Sequence, residues 1–391
     1  MADYEKLKSI IEKKIEEYHK ELISLNDDIA DHPEISGEEY ETSRKIVKLL
    51  ESKGYNVEYP FAGLETAFKG VYGDNSHKHK VAILTEYDAL PEIGHACGHC
   101  LSGSISILGG LAVKDLQDEL DTDIHIIGTP VEETDGAKCA MASDGVFDEY
   151  DMAIMIHMYN KNLVDPTFLA LDSYMYEFRG QAAHASDSPW NGRNAFNAAQ
   201  LMFHGIDMLR QHSKPDVRMH GIIRNGGEAP NIVPEYVSAE VYVRALDREY
   251  LNGLVSRVDD CARGAAIATQ TEWSKYNTAA PYDNLKSNPT GEQALREVYG
   301  ELGLKIDPKP EVPFGSSDAG NVSYVCPTFH PTLKVVDDDV VVHTRKFAEG
   351  MKTDRAHNAL ADGGKIIALQ IAKIFSDENR IKAMKEDFER K

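Results

Sequence analysis

The stretch GHACGHC, Gly94 to Cys100, holds two histidines and two of the chain's five cysteines. Cys97 and His99 stand two residues apart, so one loop can turn a thiolate and an imidazole toward a single centre or toward two neighbouring ions. Both donors suit zinc and its first-row neighbours, whereas magnesium and calcium want oxygen. The adjacent carboxylates Glu132 and Glu133 form a second reactive cluster. One of such a pair can hold a metal while the other takes a proton from water, although the same dipeptide also serves as an ordinary solvated loop. His157 ends an apolar run, and Glu86 and Asp88 follow another. A thioredoxin-like reading of CGHC lacks the required strand and helix context, and a four-cysteine zinc ribbon lacks a second C-x-x-C.

The elements that must position these groups are short apolar runs, Val81 to Leu84, 122–130 and 151–159, separated by helical stretches such as 101–120. That alternation predicts a mostly parallel sheet flanked by helices, with ligands at the carboxyl ends of its strands. Ser36-Gly37-Glu38-Glu39 has the spacing of a capping box and predicts a helix over 37–53. After about Pro166, the segments FLALDSYMYEFRG, VRMHGIIRN and VSAEVYVRAL alternate in polarity. They predict an inserted α+β module with an antiparallel sheet. The α/β texture then returns, with a helix at 290–302 and a terminal helix from about Asp362. The expected organisation is a catalytic domain in two parts, 1–171 and 279–391, with an inserted domain at 172–278.

At 391 residues two domains are expected. The formal charge of −22 argues against nucleic acid and anionic membrane as partners. Gly94 to Val113 lacks charged residues but is too rich in glycine and serine for a membrane span. The charged N-terminal segment has no signal-peptide pattern, so the cytoplasm is the expected location. Five cysteines in a reducing compartment read as thiols rather than a disulfide scaffold.

Six motifs in order, HPEISGEE at 32–39, EYDALPEIGHACGH at 86–99, GTPVEE at 128–133, GQAAHAS at 180–186, NGGEAPNIVP at 225–234 and GSSDAGNVS at 315–323, resemble the metallopeptidases that include aminoacylases, glutamate carboxypeptidases and p-aminobenzoyl-glutamate hydrolases. The similarity is greatest to the p-aminobenzoyl-glutamate hydrolase and aminoacylase-like dipeptidase branch, in which Cys replaces a bridging aspartate. It implies a hydrolase of amide or peptide bonds in a carboxylate-bearing small substrate, such as an N-acyl amino acid, a dipeptide or p-aminobenzoyl-glutamate. Two divalent ions are implied, zinc first and manganese second, with Cys97 bridging them and His99, Glu133, His157 and His343 completing the shells. Glu132 becomes the general base. His184, in the inserted lid and dimerisation domain, would reach the partner's oxyanion in a homodimer.

Asn231 and Arg244 match the family's carboxylate-recognition positions, and a guanidinium suits that task. The lesser alternative for Arg244, from its alternating context, is a strand residue facing solvent. Ser316 and Ser317 line the pocket or form a turn. The pattern departs at Cys100, where relatives carry Asp or Asn. That position is either tolerant or, paired with Cys97 on oxidation, a redox control. The competing class is a metal-dependent binding or regulatory protein that kept the fold without turnover.

Overall fold

A computed structural model describes residues 3–310 and 315–390. The chain packs as two units. One is Met1–Pro166 with Leu285–Glu311 and Asp318–Lys391, and the other is Thr167–Asn284 with Val312–Ser317. The second reaches beyond 172–278 because Leu171 and Tyr282 exchange two backbone hydrogen bonds, at 2.8 and 2.9 Å.

The strands in chain order are β1 (Asn56–Glu58), β2 (Phe68–Val71), β3 (His79–Thr85), β4 (Thr122–Gly128), β5 (Met152–Ile154), β6 (His157–Tyr159), β7 (Ala170–Arg179), β8 (Arg218–Asn225), β9 (Tyr236–Ala245), β10 (Glu272–Asn277), β11 (Thr328–Phe329) and β12 (Thr332–Lys334). In the first unit a six-stranded sheet runs β1-β2-β4-β3-β5-β11. Its centre, β4-β3-β5-β11, is parallel, and β1 and β2 add antiparallel pairings at one edge. The four parallel strands are buried on both faces, as such strands must be, while β1 at the edge is largely exposed. Val81, Ile83, Ile124 and Ile126 point into one apolar layer, while Ala82, Leu84, Ile127 and Ala153 point into the other.

Helices α1 (Tyr4–Asp31) and α2 (Tyr40–Ser52) precede the sheet, and α3 (His99–Val113) is buried along its whole length. Among the described residues no helix is long and apolar enough to cross a membrane; the uncharged 94–113 segment is core. Gly103 lets α3 approach the end of β3, since a Cβ there would lie 2.4 Å from the Glu86 carbonyl oxygen.

Three expected elements differ from the structure. The helix over 37–53 begins only at Tyr40, because Ser36 Oγ donates to Asp88 Oδ2 at 2.6 Å and Glu39 turns inward to accept from the Gly37 and Val131 amides. Glu34 supplies the cap instead, taking the Glu41 and Thr42 amides at 3.1 and 2.7 Å. Glu34→Ala should therefore weaken the fold by about 1 kcal/mol in urea unfolding; an unchanged midpoint would mean that water serves those amides equally well.

The run 151–159 is two strands rather than one, and His157 opens the second. Pro331 has no N–H for a ladder, so pairing stops after β11 and resumes as β12 with β6. The terminal helix starts at Asp354, where Thr353 Oγ1 accepts from the Ala356 amide, and breaks after Phe375, where Asp377 caps a last helix, Glu378–Glu389.

The second unit is an antiparallel sheet, β10-β7-β9-β8, covered on one face by the helices Ala195–Leu209 and Arg248–Thr269. Along β9, Val237, Ala239, Val241, Val243 and Ala245 face the helices. Period-two geometry then puts Glu240, Tyr242 and Arg244 on the opposite face.

Candidate metal centre

The first unit gathers its reactive groups at the carboxyl ends of β3 and β4 and the start of β6. Gly98, at φ +87°, turns the chain between Cys97 and His99 into α3. Val131, a β-branched residue held at φ +55°, precedes Glu132, and His343 sits at φ +62°. Left-handed backbone at non-glycine residues costs energy and persists where the surroundings enforce it. Here the Val131 amide is held by buried Glu39, and the His343 amide donates to the Ala96 carbonyl at 2.8 Å.

Two sets of ligand atoms share one sulfur. Cys97, His99 and His157 each offer an atom within 4.8 Å of the others, and so do Cys97, Glu133 and His343. Cys97 Sγ lies 3.3 Å from His157 Nε2, and His343 Nε2 lies 3.6 Å from Glu133 Oε1. His99, Glu132 and Glu133 form a further group with the same spacing, with Glu132 Oε2 3.8 Å from His99 Nε2. All six of these predicted residues are thus brought together. His343, more than half exposed, stands at the rim, while His99 is fully buried.

The ring nitrogens are sorted by what they touch. His99 Nδ1 donates to Asp88 Oδ1 at 2.8 Å and His157 Nδ1 to the Met158 carbonyl at 2.8 Å, so that His157 Nε2 faces the sulfur and His99 Nε2 lies between the Glu86 and Glu132 carboxylates, at 3.4 and 3.8 Å. His99 Nε2 is buried without a hydrogen-bond partner. An orphaned imidazole nitrogen beside a thiol and carboxylates is what a divalent ion would satisfy, so the donor set fits two ions that share Cys97. Burial and Glu133 push the Cys97 thiol well up. It would ionise when a cation binds.

Asp88, which the sequence marks only as one more carboxylate after β3, organises the cluster. It accepts from His99 Nδ1, from the Glu133 amide at 3.0 Å and from Ser36 Oγ. Burial would raise its carboxyl, but His99 and these donors hold it well below the usual carboxylate range. In Asp88→Asn one donor must face an NH2 group, or the His99 proton must move to Nε2. Metal affinity should fall about 10- to 100-fold, measured by competition with a chromophoric chelator; wild-type affinity would remove Asp88 from this role.

Sequence reasoning missed Lys138, Asp318 and His330. Lys138 Nζ is fully buried, 2.8 Å from Glu86 Oε1 and 2.6 Å from Asp318 Oδ1. The signal that could have found it is a lysine inside the apolar run Ala137–Ser143. His330 stacks on His157 with ring centroids 5.6 Å apart. Burial, reinforced by Glu86, Asp318 and Glu133, raises the Glu132 carboxyl well above its usual range, which suits a proton acceptor that must later donate. Cys97 and Cys100 are both free thiols. Cys100 points into the main core, and burial pushes its thiol up to about 12, which leaves little thiolate for exchange.

The other predicted residues lie in the second unit. His184 and Ile232 form an isolated bridge, and the Ala185 amide donates to the Asn231 carbonyl at 2.9 Å, so His184 and Asn231 are neighbours on its surface. His184 Nδ1 accepts from the Ser186 and Asp187 amides, which leaves Nε2 as the N–H side of the ring. Arg244 Nη1 donates to Ser316 Oγ at 3.4 Å, Arg244 Nε is buried without a partner, and Ser317 is buried.

The profile of peptidase family M20/M25/M40 matches residues 82–347. The chain is 31% identical to the Xaa-Arg dipeptidase of Mus musculus over 99% of this chain and 93% of that protein. It is also 31% identical to one of the polypeptides of the p-aminobenzoyl-glutamate hydrolase of Escherichia coli, over 75% of this chain and 65% of that protein. Among solved structures, a dinuclear metal-binding peptidase from Bacillus subtilis superposes with a TM-score of 0.70 at 18% identity, covering 92% of this chain and 99% of that one.

Proposed function

Because the chain belongs to peptidase family M20/M25/M40 and is a hydrolase of amide or peptide bonds, we propose that it is metal-dependent and cleaves dipeptides or N-acyl amino acids bearing a free carboxylate beside the scissile bond. The observation that carries this reading is the pair of ligand sets sharing Cys97, with Glu132 beside them in neither set.

In this reading Cys97, His99 and His157 hold one divalent ion and Cys97, Glu133 and His343 the other. Zinc is favoured by the thiolate, with manganese the alternative. Two such ions supply Lewis acidity toward water and the substrate carbonyl. Glu132 takes a proton from the attacking water and returns it to the leaving amine. Arg244, with Asn231, holds the substrate carboxylate in a two-pronged contact, and Ser316 and Ser317 line that end of the pocket. His184 donates from Nε2 to the oxyanion, contributed across a homodimer, with 172–278 as the inserted dimerisation and lid domain. The enzyme works in the cytoplasm. The full-length match to a relative named Xaa-Arg dipeptidase makes dipeptides with a basic C-terminal residue the first substrates to try.

The test is mass-spectrometric detection of products from zinc- or manganese-loaded protein given pooled dipeptides, N-acyl amino acids and p-aminobenzoyl-glutamate, with chelated protein alongside. Release of an amino acid that stops with chelation is expected. Fully loaded protein that cleaves nothing would favour the binding-protein alternative.

A further inference from the structure

Behind Glu132 lies a fourth group with metal-like spacing, made of carboxylate oxygens alone. Glu86, Glu132 and Asp318 each offer a carboxylate oxygen within 4.8 Å of the others. Glu86 and Asp318 are wholly buried, and Glu86 Oε2 makes no hydrogen bond. Such a set attracts any divalent ion, and Glu86 Oε2 is only 3.4 Å from His99 Nε2. Lys138 already stands there. Its Nζ touches Glu86 and Asp318, and its backbone amide donates to the other Asp318 oxygen at 3.0 Å.

We infer that Lys138 is a resident counter-cation that takes the place of a third divalent ion and confines metal to the Cys97 side of the site. An ammonium in oxygen surroundings neutralises buried carboxylates much as a hard cation does, and unlike a free ion it cannot exchange or slide toward His99. Lys138 is thus a positioning residue. Its presence keeps a divalent ion out of this group, where one would claim the Glu132 lone pair needed for proton transfer. This inference rests on the two-metal reading above.

The test compares metal stoichiometry, by elemental mass spectrometry after loading with excess zinc or manganese and desalting, in the wild type, Lys138→Met, and Lys138→Met with Glu86→Gln. The single variant should retain one more ion per chain than the wild type, and its melting temperature should keep rising over metal concentrations that already saturate the wild type. The double variant, with the excess charge removed, should return to the wild-type count. A folded Lys138→Met with wild-type stoichiometry overturns the inference. So does one that no metal concentration folds, or an extra ion that persists in the double variant. Fewer than two ions in the wild type would count against the two-metal reading alone, because only the difference between variants bears on Lys138.

Discussion

Replacing Glu132 with Gln is expected to lower kcat/KM by about 10²- to 10⁴-fold, the range for removing a general acid–base, while two metals per chain and the melting temperature stay near wild-type values. Gln keeps the size and one oxygen of Glu, so a side chain only 11% exposed should repack in place. What it loses is the capacity to take up a proton. Glu132 belongs to neither ligand set that shares Cys97, yet sits 3.8 Å from His99 Nε2. Its removal should therefore separate turnover from binding. If metal content fell with activity, Glu132 would be a ligand. If more than a tenth of the activity survived, another group would have to move the proton.

The second large effect is expected from Gly98→Ala, a change that touches no donor atom. Gly98 holds φ +87° and ψ 18°, a region that costs a residue with a Cβ about 1–2 kcal/mol. The added Cβ would also lie 2.7 Å from Met158 Cβ and 3.1 Å from Met351 Sδ, an overpacking worth about 1–3 kcal/mol more. Together these predict a loss of about 2–5 kcal/mol in urea unfolding of the metal-free protein. Relief must come from moving Met158, which follows His157, or from opening the turn between Cys97 and His99. The first route shifts His157 and the second shifts Cys97 and His99. Metal affinity should drop more than 10-fold, since the ligand constellation must be held to within about half an ångström. Metal-free stability and affinity both equal to the wild type would show that the turn is not what sets the ligands.

Much of the fold was legible because the signals were local. The uncharged helix after His99, the apolar runs at 81–84 and 122–128, and the alternating strands of the second unit follow from periodicity within a few residues. The failures were local signals overruled at a distance. Ser36 has the right neighbour for a capping box, in which its oxygen would accept from the Glu39 amide, but its hydroxyl is turned instead to donate to Asp88, fifty-two residues on. The run 151–159 reads as one strand until Pro331, on the neighbouring segment, interrupts its ladder.

By itself the sequence determined the kinds of donor atom available and their placement at strand ends: the thiol and imidazole of Cys97 and His99, and the paired carboxylates of Glu132 and Glu133. These depend on residue type and on elements whose stability is mostly local. Only the tertiary structure decided which groups face one another. Asp88 fixes the His99 tautomer, His343 returns from far along the chain to meet Glu133, and Lys138 bonds Asp318 across a separation of 180 residues. Such pairings arise when a parallel sheet stacks the ends of sequence-distant strands side by side. A buried charge can settle only where that stacking has already placed its counter-charge.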